Sequence, residues 1–278
     1  MWLEVLGTMT EGEISAESLT LEEAIANLRS EDASLRYYAA WWVGRFRVNL
    51  PEVVAALIEG LSYTADRTEA GALPLQRNAA RALGKLGDRA AVPALIEGLR
   101  SPDHFVREAA AQSLGALGDR AAVPRLLEML AGGVAAAVQL PGKPHLNQPY
   151  DAVLEALGDL GATEAIAAIA PFLEHPMAKV QYAAARALYQ LTGEAAYGER
   201  LVTALAGPDL QLRRTAMADL GAIGYLAAAP AIARTQAENS LKLYALKDLM
   251  EHPHAQGDGG DALSDDIRAI ADLMDSLL

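Results

Sequence analysis

The sequence contains no cysteine. Disulfides and thiolate metal sites are therefore excluded, and the chain can hold no group through a thioether. Histidine is sparse. His104, His145, His175, His252 and His254 are scattered, and no two share a helix at the spacing of a metal site, so no metal is expected. Aromatics are few, at three Trp, nine Tyr and three Phe, and β-branched residues are scarce too, which argues against sheet. Basic runs are missing from a chain of net charge −13. A nucleic-acid binder needs a phosphate-neutralising surface, and an anionic membrane attracts polybasic segments; neither partner is expected. The longest apolar run, Gly221–Ala233, falls short of the ~20 residues that cross a bilayer, so no membrane insertion is expected. Met1–Thr10 has no basic residue ahead of its apolar stretch and does not read as a secretory signal. The expected location is the cytoplasm.

What is present is apolar, small and repetitive. Hydrophobic residues make up 52% of the chain, enough for a continuous core, and alanine and leucine dominate. Both are strong helix formers that suit close helix–helix contact. Gly87-Asp88-Arg89-Ala90-Ala91-Val92-Pro93 recurs as Gly118-Asp119-Arg120-Ala121-Ala122-Val123-Pro124, a shift of 31 residues. Weaker copies align at Val43-Gly44, Leu83-Gly84, Leu114-Gly115, Leu157-Gly158, Leu188-Tyr189 and Leu220-Gly221. Their spacings of 40, 31, 43, 31 and 32 residues mark two insertions.

Each unit reads as a helical hairpin. Pro93 and Pro124 open first helices, where the missing N–H would be unpaired in any case. Asp32, Asp103 and Asp209 are placed to cap second helices, and Thr20 with Glu23 forms a capping box. The anchors Leu35, Leu75, Val106, Val180 and Leu212 precede the repeat leucine or valine by eight residues, on one helical face. One hairpin cannot bury both faces alone, so the units stack. The pattern predicts an all-α fold, an alpha-alpha superhelix (solenoid) of HEAT-like hairpins. By analogy with such folds, second helices line the concave side. The expected organisation is an N-terminal tail over 1–19, the solenoid over 20–251 with an insertion around 131–149, a flexible linker over 252–262, and an amphipathic helix over 263–278.

Function in a solenoid is sought where the repeat is broken. Tyr37, Tyr38, Trp41, Trp42 and Phe46 put five of the 15 aromatics within eleven residues. They read either as a cap on the first hairpin or as an aromatic shelf for a flat conjugated ligand or a partner. Trp41 is expected on the open face and Trp42 toward a neighbouring helix. The insertion, Leu140–Asp151, reads as a surface loop or a functional one. Arg77, Arg81, Arg107, Glu108, Gln112, Tyr150, Asp151, Glu155, Tyr182, Arg186 and Arg214 form a polar row along second helices, either a solvated face or a site. Ile267, Ile270, Ala271, Met274 and Leu277 give the last helix an apolar stripe, to cap the final hairpin or dock on a partner. His252 and His254 read as solvated linker residues.

Leu21–Arg29, Ser34–Phe46, Leu75–Asp88, Pro144–Gly158 and Asp219–Ala229 resemble the E-type phycobilin lyase subunits. The Tyr37-Tyr38-Ala39-Ala40-Trp41-Trp42 block and the His145-Leu146-Asn147-Gln148-Pro149-Tyr150 loop are the specific parts. The likeness runs from about Leu21 to Leu249. It implies a heterodimer with an F-type subunit that binds phycocyanobilin as a substrate. That pair delivers it, for phycobilisome assembly, to a cysteine of the apo-phycocyanin α chain, with no bilin kept covalently on this chain. Related lyases handle other bilins and phycobiliproteins. A non-catalytic scaffold, or a factor that removes chromophore, stays open as an alternative. For a flat tetrapyrrole with two propionates, Tyr37 and Trp41 are expected to stack on it. Arg36, Arg81 or Arg107 would pair with the propionates. His145, Gln148 and Tyr150 would contact the ligand from the loop. Asp151 would hold pyrrole N–H groups or manage protons.

Overall fold

A computed structural model describes residues 19–253 and 265–278. The helices pair in chain order. They are α1 (Leu21–Asn27) with α2 (Ala33–Arg45), α3 (Pro51–Leu61) with α4 (Pro74–Leu86), and α5 (Val92–Gly98) with α6 (His104–Leu117). Next, α7 (Val123–Met129) is separated from its partner α9 (Tyr150–Asp159) by an insertion that contains α8 (Gly133–Ala136). Then come α10 (Ile166–Ile169) with α11 (Ala178–Thr192), α12 (Ala195–Ala204) with α13 (Leu210–Ala222), and α14 (Ala229–Arg234) with α15 (Asn239–Glu251). The final helix is α16 (Asp265–Asp275).

The expected caps form. Asp32 accepts from the Ser34 and Leu35 amides, Asp103 from Phe105, and Asp209 from Gln211 and Leu212. Thr20 and Glu23 complete their reciprocal box. Pro93 and Pro124 sit in the first turns of α5 and α7.

Second helices pack on one another in sequence: α2 on α4, α4 on α6, α6 on α9 and α9 on α11. Glycine makes the approach close. A Cβ placed on Gly44 would lie 2.9 Å from the Ala82 Cα, and one on Gly158 would lie 2.8 Å from the Ala187 Cα. This layer is held tighter than the layer of first helices, so the stack curves with the second helices inside. The spacing fails once. At Leu188-Tyr189 the repeat glycine is replaced, and Tyr189 meets Tyr225 edge-on at 5.2 Å. The core accordingly forms two apolar clusters that share α11.

Trp42 takes the repeat position held by Ala82, Ser113, Ala156 and Ala187, each of which faces the preceding glycine. Among the described residues no second helix precedes α2. Trp42 fills that space instead, half-buried against the core with its ring 4.6 Å from Phe46. Anchor residues Leu75, Val106 and Val180 are buried, and Leu212 is half-buried. Leu35 departs from expectation: it is 43% exposed at the open end of the stack. At the other end, α16 packs on α14 and α15 through Ile267 and Ile270, and the Asn239 amide donates to the Leu277 carbonyl at 2.8 Å. His252 also departs from expectation. It is half-buried, its ring occupying the space beside Gly224. His254 lies outside the described residues, as does nearly all of the expected N-terminal tail. Among the described residues no helix is long and apolar enough to cross a membrane.

Candidate functional site

Two registers of the repeat face the inside of the curve. Counting back from the anchor at Val43, Leu83, Leu114, Leu157 and Leu188, the position two before is Trp41, Arg81, Gln112, Glu155 and Arg186. The position six before is Tyr37, Arg77, Glu108, Asp151 and Tyr182. The two are four residues apart, one turn of helix, so they form parallel ladders across the inner face.

A third register explains which expected site residues do not belong there. Arg36, Arg107 and Tyr150 stand seven before the anchor, rotated about 100° from the second ladder. That direction points into the turn between the two helices of each hairpin. Arg36 donates to the Ser30 carbonyl and its guanidinium lies 4.2 Å from the Tyr63 ring centre; it is buried. Arg107 donates to the Ser101 carbonyl at 2.7 Å, to the Asn147 carbonyl at 2.8 Å and to Gln148 Oε1 at 2.9 Å. Arg213 repeats the contact with Gly207, and Gln181 with His175. Tyr150 is 1% exposed and lies against Phe172. Arg36, Arg107, Gln148 and Tyr150 therefore brace turns and the insertion.

The insertion is a built structure. A bridge pairs Gln139 with Leu146, and Arg107 fastens its far side. His145 stacks on His104 with ring centres 3.9 Å apart, and both meet Phe105 edge-on. Burial first, then His145 and Arg107, push the His104 imidazole down to about 4. The stack continues inward, because the Arg77 guanidinium lies over Phe105 at 4.9 Å. Sequence alone gave no sign that His104 and His145, 41 residues apart, would meet.

At the N-terminal end of the ladders lies a groove of about 760 Å³ lined by Trp41, Gly44, Arg47, Asn78, Arg81, Lys85, Gln112 and Ser113. Trp41 is 46% exposed and stacks on Tyr38 at 5.5 Å; Tyr37 is 42% exposed beside it. Arg81 has no hydrogen bond or ion pair among the described residues. Burial and the neighbouring Arg77 lower its pKa, against the opposing pull of Glu108, the mark of a partly desolvated cation with no contact ion pair.

The middle of the face is different. Arg186 is shared among Glu155 at 4.0 Å, Asp159 at 2.8 Å and Asp219 at 3.5 Å. Gln190 adds a 2.9 Å bond to Asp159. Burial and Asp219 push the Glu155 carboxyl up to about 8, so it holds a proton at neutral pH. Burial raises Asp219 to about 6. Asp151 is paired with Lys179, and Glu108 next to it is raised by burial and by Asp151. Asp159 and Asp219 were missed from sequence because neither lies on the polar row; both stand at helix ends and turn back toward Arg186.

The repeats match known family models: HEAT repeats at residues 71–140, and the PBS lyase HEAT-like repeat at 35–63, 150–175 and 180–207. The chain is 63% identical over 260 residues to the phycocyanobilin lyase subunit alpha of Nostoc sp. PCC 7120, covering 94% of each. This chain belongs to the phycocyanobilin lyase alpha-subunit family. The Synechocystis sp. PCC 6803 member is 60% identical, with 93% of this chain and 96% of that one covered. A chain in the structure of the complex of CpcE and CpcF of phycocyanin lyase from Nostoc sp. PCC 7120 superposes with a TM-score of 0.88. It is 61% identical, with 97% of this chain and 100% of that one covered. The bilin biosynthesis protein RpcE of Synechococcus sp. WH8020 is more distant, 45% identical over 96% of this chain and 98% of its own.

Proposed function

We propose that this chain is the alpha, E-type, subunit of a cytoplasmic phycocyanobilin lyase. With an F-type partner it attaches phycocyanobilin, bound as a substrate, to a cysteine of apo-phycocyanin α. Near-full-length kinship with the lyase alpha subunits carries this reading, and the inner groove gives it a physical basis. Trp41, with Tyr37 beside it, offers a rigid aromatic surface for a flat conjugated pigment. Arg81 offers a propionate a partly desolvated cation that makes no hydrogen bond or contact ion pair among the described residues.

The reaction is an addition. The acceptor thiol gives up its proton as sulfur bonds to the exocyclic carbon of the ring A ethylidene group, and a proton ends on the adjacent ring carbon. Nothing is oxidised and nothing leaves. The acceptor cysteine belongs to the substrate protein, which agrees with a chain that has none. The neutral Glu155 carboxyl is suited to donate a proton or hydrogen bond in the middle of the trough. Asp151, held by Lys179, is suited to accept from a pyrrole N–H. The larger part of the rate comes from holding thiol and double bond together.

The test is co-expression of this chain, its F-type partner, apo-phycocyanin α and phycocyanobilin. Zinc-enhanced bilin fluorescence is then read on the denatured α chain. Labelling that needs this chain supports the reading. Labelling unchanged when the chain is omitted marks a scaffold and overturns it.

A further inference from the structure

In α4, α6, α9 and α13 the C-terminal turn is followed by a residue with left-handed backbone, four positions after the anchor; in α11 it comes one place later, at Gly193. Glycine fills it at Gly87, Gly118, Gly161 and Gly224, with φ between 60° and 77°. In the first hairpin the same position is Arg47, at φ 52°, and among the described residues it is the one non-glycine with positive φ. Backbone bonds fix the equivalence. The amide after it donates to the anchor carbonyl, Val48 to Val43 at 3.0 Å, as Ala162 does to Leu157 at 3.0 Å and Tyr225 to Leu220 at 3.2 Å. Glycine would sit there without strain, whereas arginine is strained by its Cβ. Strain of this kind collects where a side chain is needed in a particular place.

That place is the groove. Arg47 lines it together with Trp41, Arg81 and Lys85. One Arg47 nitrogen reaches the Lys85 carbonyl at 3.4 Å, a long bond, and its other N–H groups have no partner among the described residues. Lys85 and Arg81 make no ion pair there either. Among the described residues no carboxylate lines the groove, although acidic side chains outnumber basic ones 36 to 23 in the chain. A concave wall with three cations and no anion, in an acidic protein, is shaped for an anionic ligand.

We propose that Arg47 and Lys85, next to Arg81, form a carboxylate-binding end of the trough that seats the bilin propionates, with Arg47 selecting the free acid over uncharged bilins. This rests on the reading of the chain as a bilin lyase subunit. Arg81 alone meets one propionate, and the pair Arg47–Lys85 supplies the second seat. The competing explanation is plain capping, in which Arg47 does no more than satisfy the end of α4.

Arg47→Gly separates the two. It relieves the left-handed strain, so a binding residue lost this way leaves a protein that melts no lower than wild type. A lost cap leaves one that melts lower. The complex with the F-type partner is titrated with phycocyanobilin free acid and with its dimethyl ester. Wild type should prefer the free acid, and Arg47→Gly should cut that preference about tenfold. Arg47→Lys, which keeps the charge, should retain most of it. An unchanged preference in Arg47→Gly, or a loss accompanied by lower melting, overturns the proposal and leaves the lyase reading standing. A wild-type complex that binds neither compound overturns both.

Discussion

In α2 and α4 the inner face carries Tyr37, Trp41, Arg77 and Arg81 and no carboxylate. In α9 the same two registers carry Asp151 and Glu155, with Asp159 one turn on and no cation on that helix. The backbone scaffold is the same in both places, since alanine and glycine in other registers hold the helices together. The ladder positions are therefore free to vary in chemistry without disturbing the stack. What differs is satisfaction. In the middle, Arg186 and Lys179 are drawn into ion pairs from neighbouring helices. At the N-terminal end Arg77 and Arg81 make no contact ion pair among the described residues, and the indole stays exposed. The middle is built to hold itself and its protons; the end is built to hold something else.

The largest effect expected is from Arg186→Met, which removes the cation from among three carboxylates. Stripping one partner from a largely buried ion cluster costs about 3–5 kcal/mol, read by chemical denaturation at pH 8. The loss should shrink at pH 5. Glu155 and Asp219 have folded pKa values raised to about 8 and about 6. Between their ordinary values and these, the folded state binds more protons than the unfolded one, so their contribution to stability falls as pH rises through that window. At pH 5 both carry protons and need Arg186 less. Equal losses at both pH values would contradict the assigned charge states.

Gly44→Val tests the shared scaffold. A side chain there meets the Ala82 backbone, which must move. Overpacking of this kind costs about 1–3 kcal/mol, and parting α2 from α4 should also weaken bilin binding at the groove. A variant with wild-type melting would show that the close approach is not needed.

Glu155→Gln sharpens the contrast between the two regions. It should stabilise the protein by on the order of 1–2 kcal/mol at pH 8.5, where the native carboxyl is forced to ionise. The gain should shrink to a few tenths of a kcal/mol or less near pH 4.5, where the folded carboxyl is protonated and the unfolded one is about half so. Thermal melts across that range measure it, and a gain that is flat with pH would refute a raised Glu155 pKa.

The sequence was most readable where the repeat is regular. The period, the Asp caps, the stacking of hairpins and the outward direction of Trp41 all follow from residue type and spacing. Reading failed where neighbouring registers carry the same residue types. Arg36, Arg107 and Tyr150 stand one residue from the inner ladders, and that single step turns them into the hairpin turn. Residue type could not separate Arg36 from Arg81; the seven-versus-two offset from the anchor does. The His104–His145 stack was illegible for a different reason, since the path of an irregular insertion is set by tertiary contacts such as those of Arg107. Arg47 was legible in principle, as the residue standing where four other repeats have glycine, once the repeats are aligned through their C-terminal turns.

The central claim is that pigment is held at the aromatic, cationic end of the trough. Titration of the complex with phycocyanobilin, followed by its absorbance, tests this with two variants on the same inner face. Trp41→Ala should weaken binding about tenfold or more with little change in melting, while Tyr182→Ala, an aromatic loss farther along the same face, should bind as wild type does. Equal affinity of Trp41→Ala and wild type, or a larger loss from Tyr182→Ala, would contradict it.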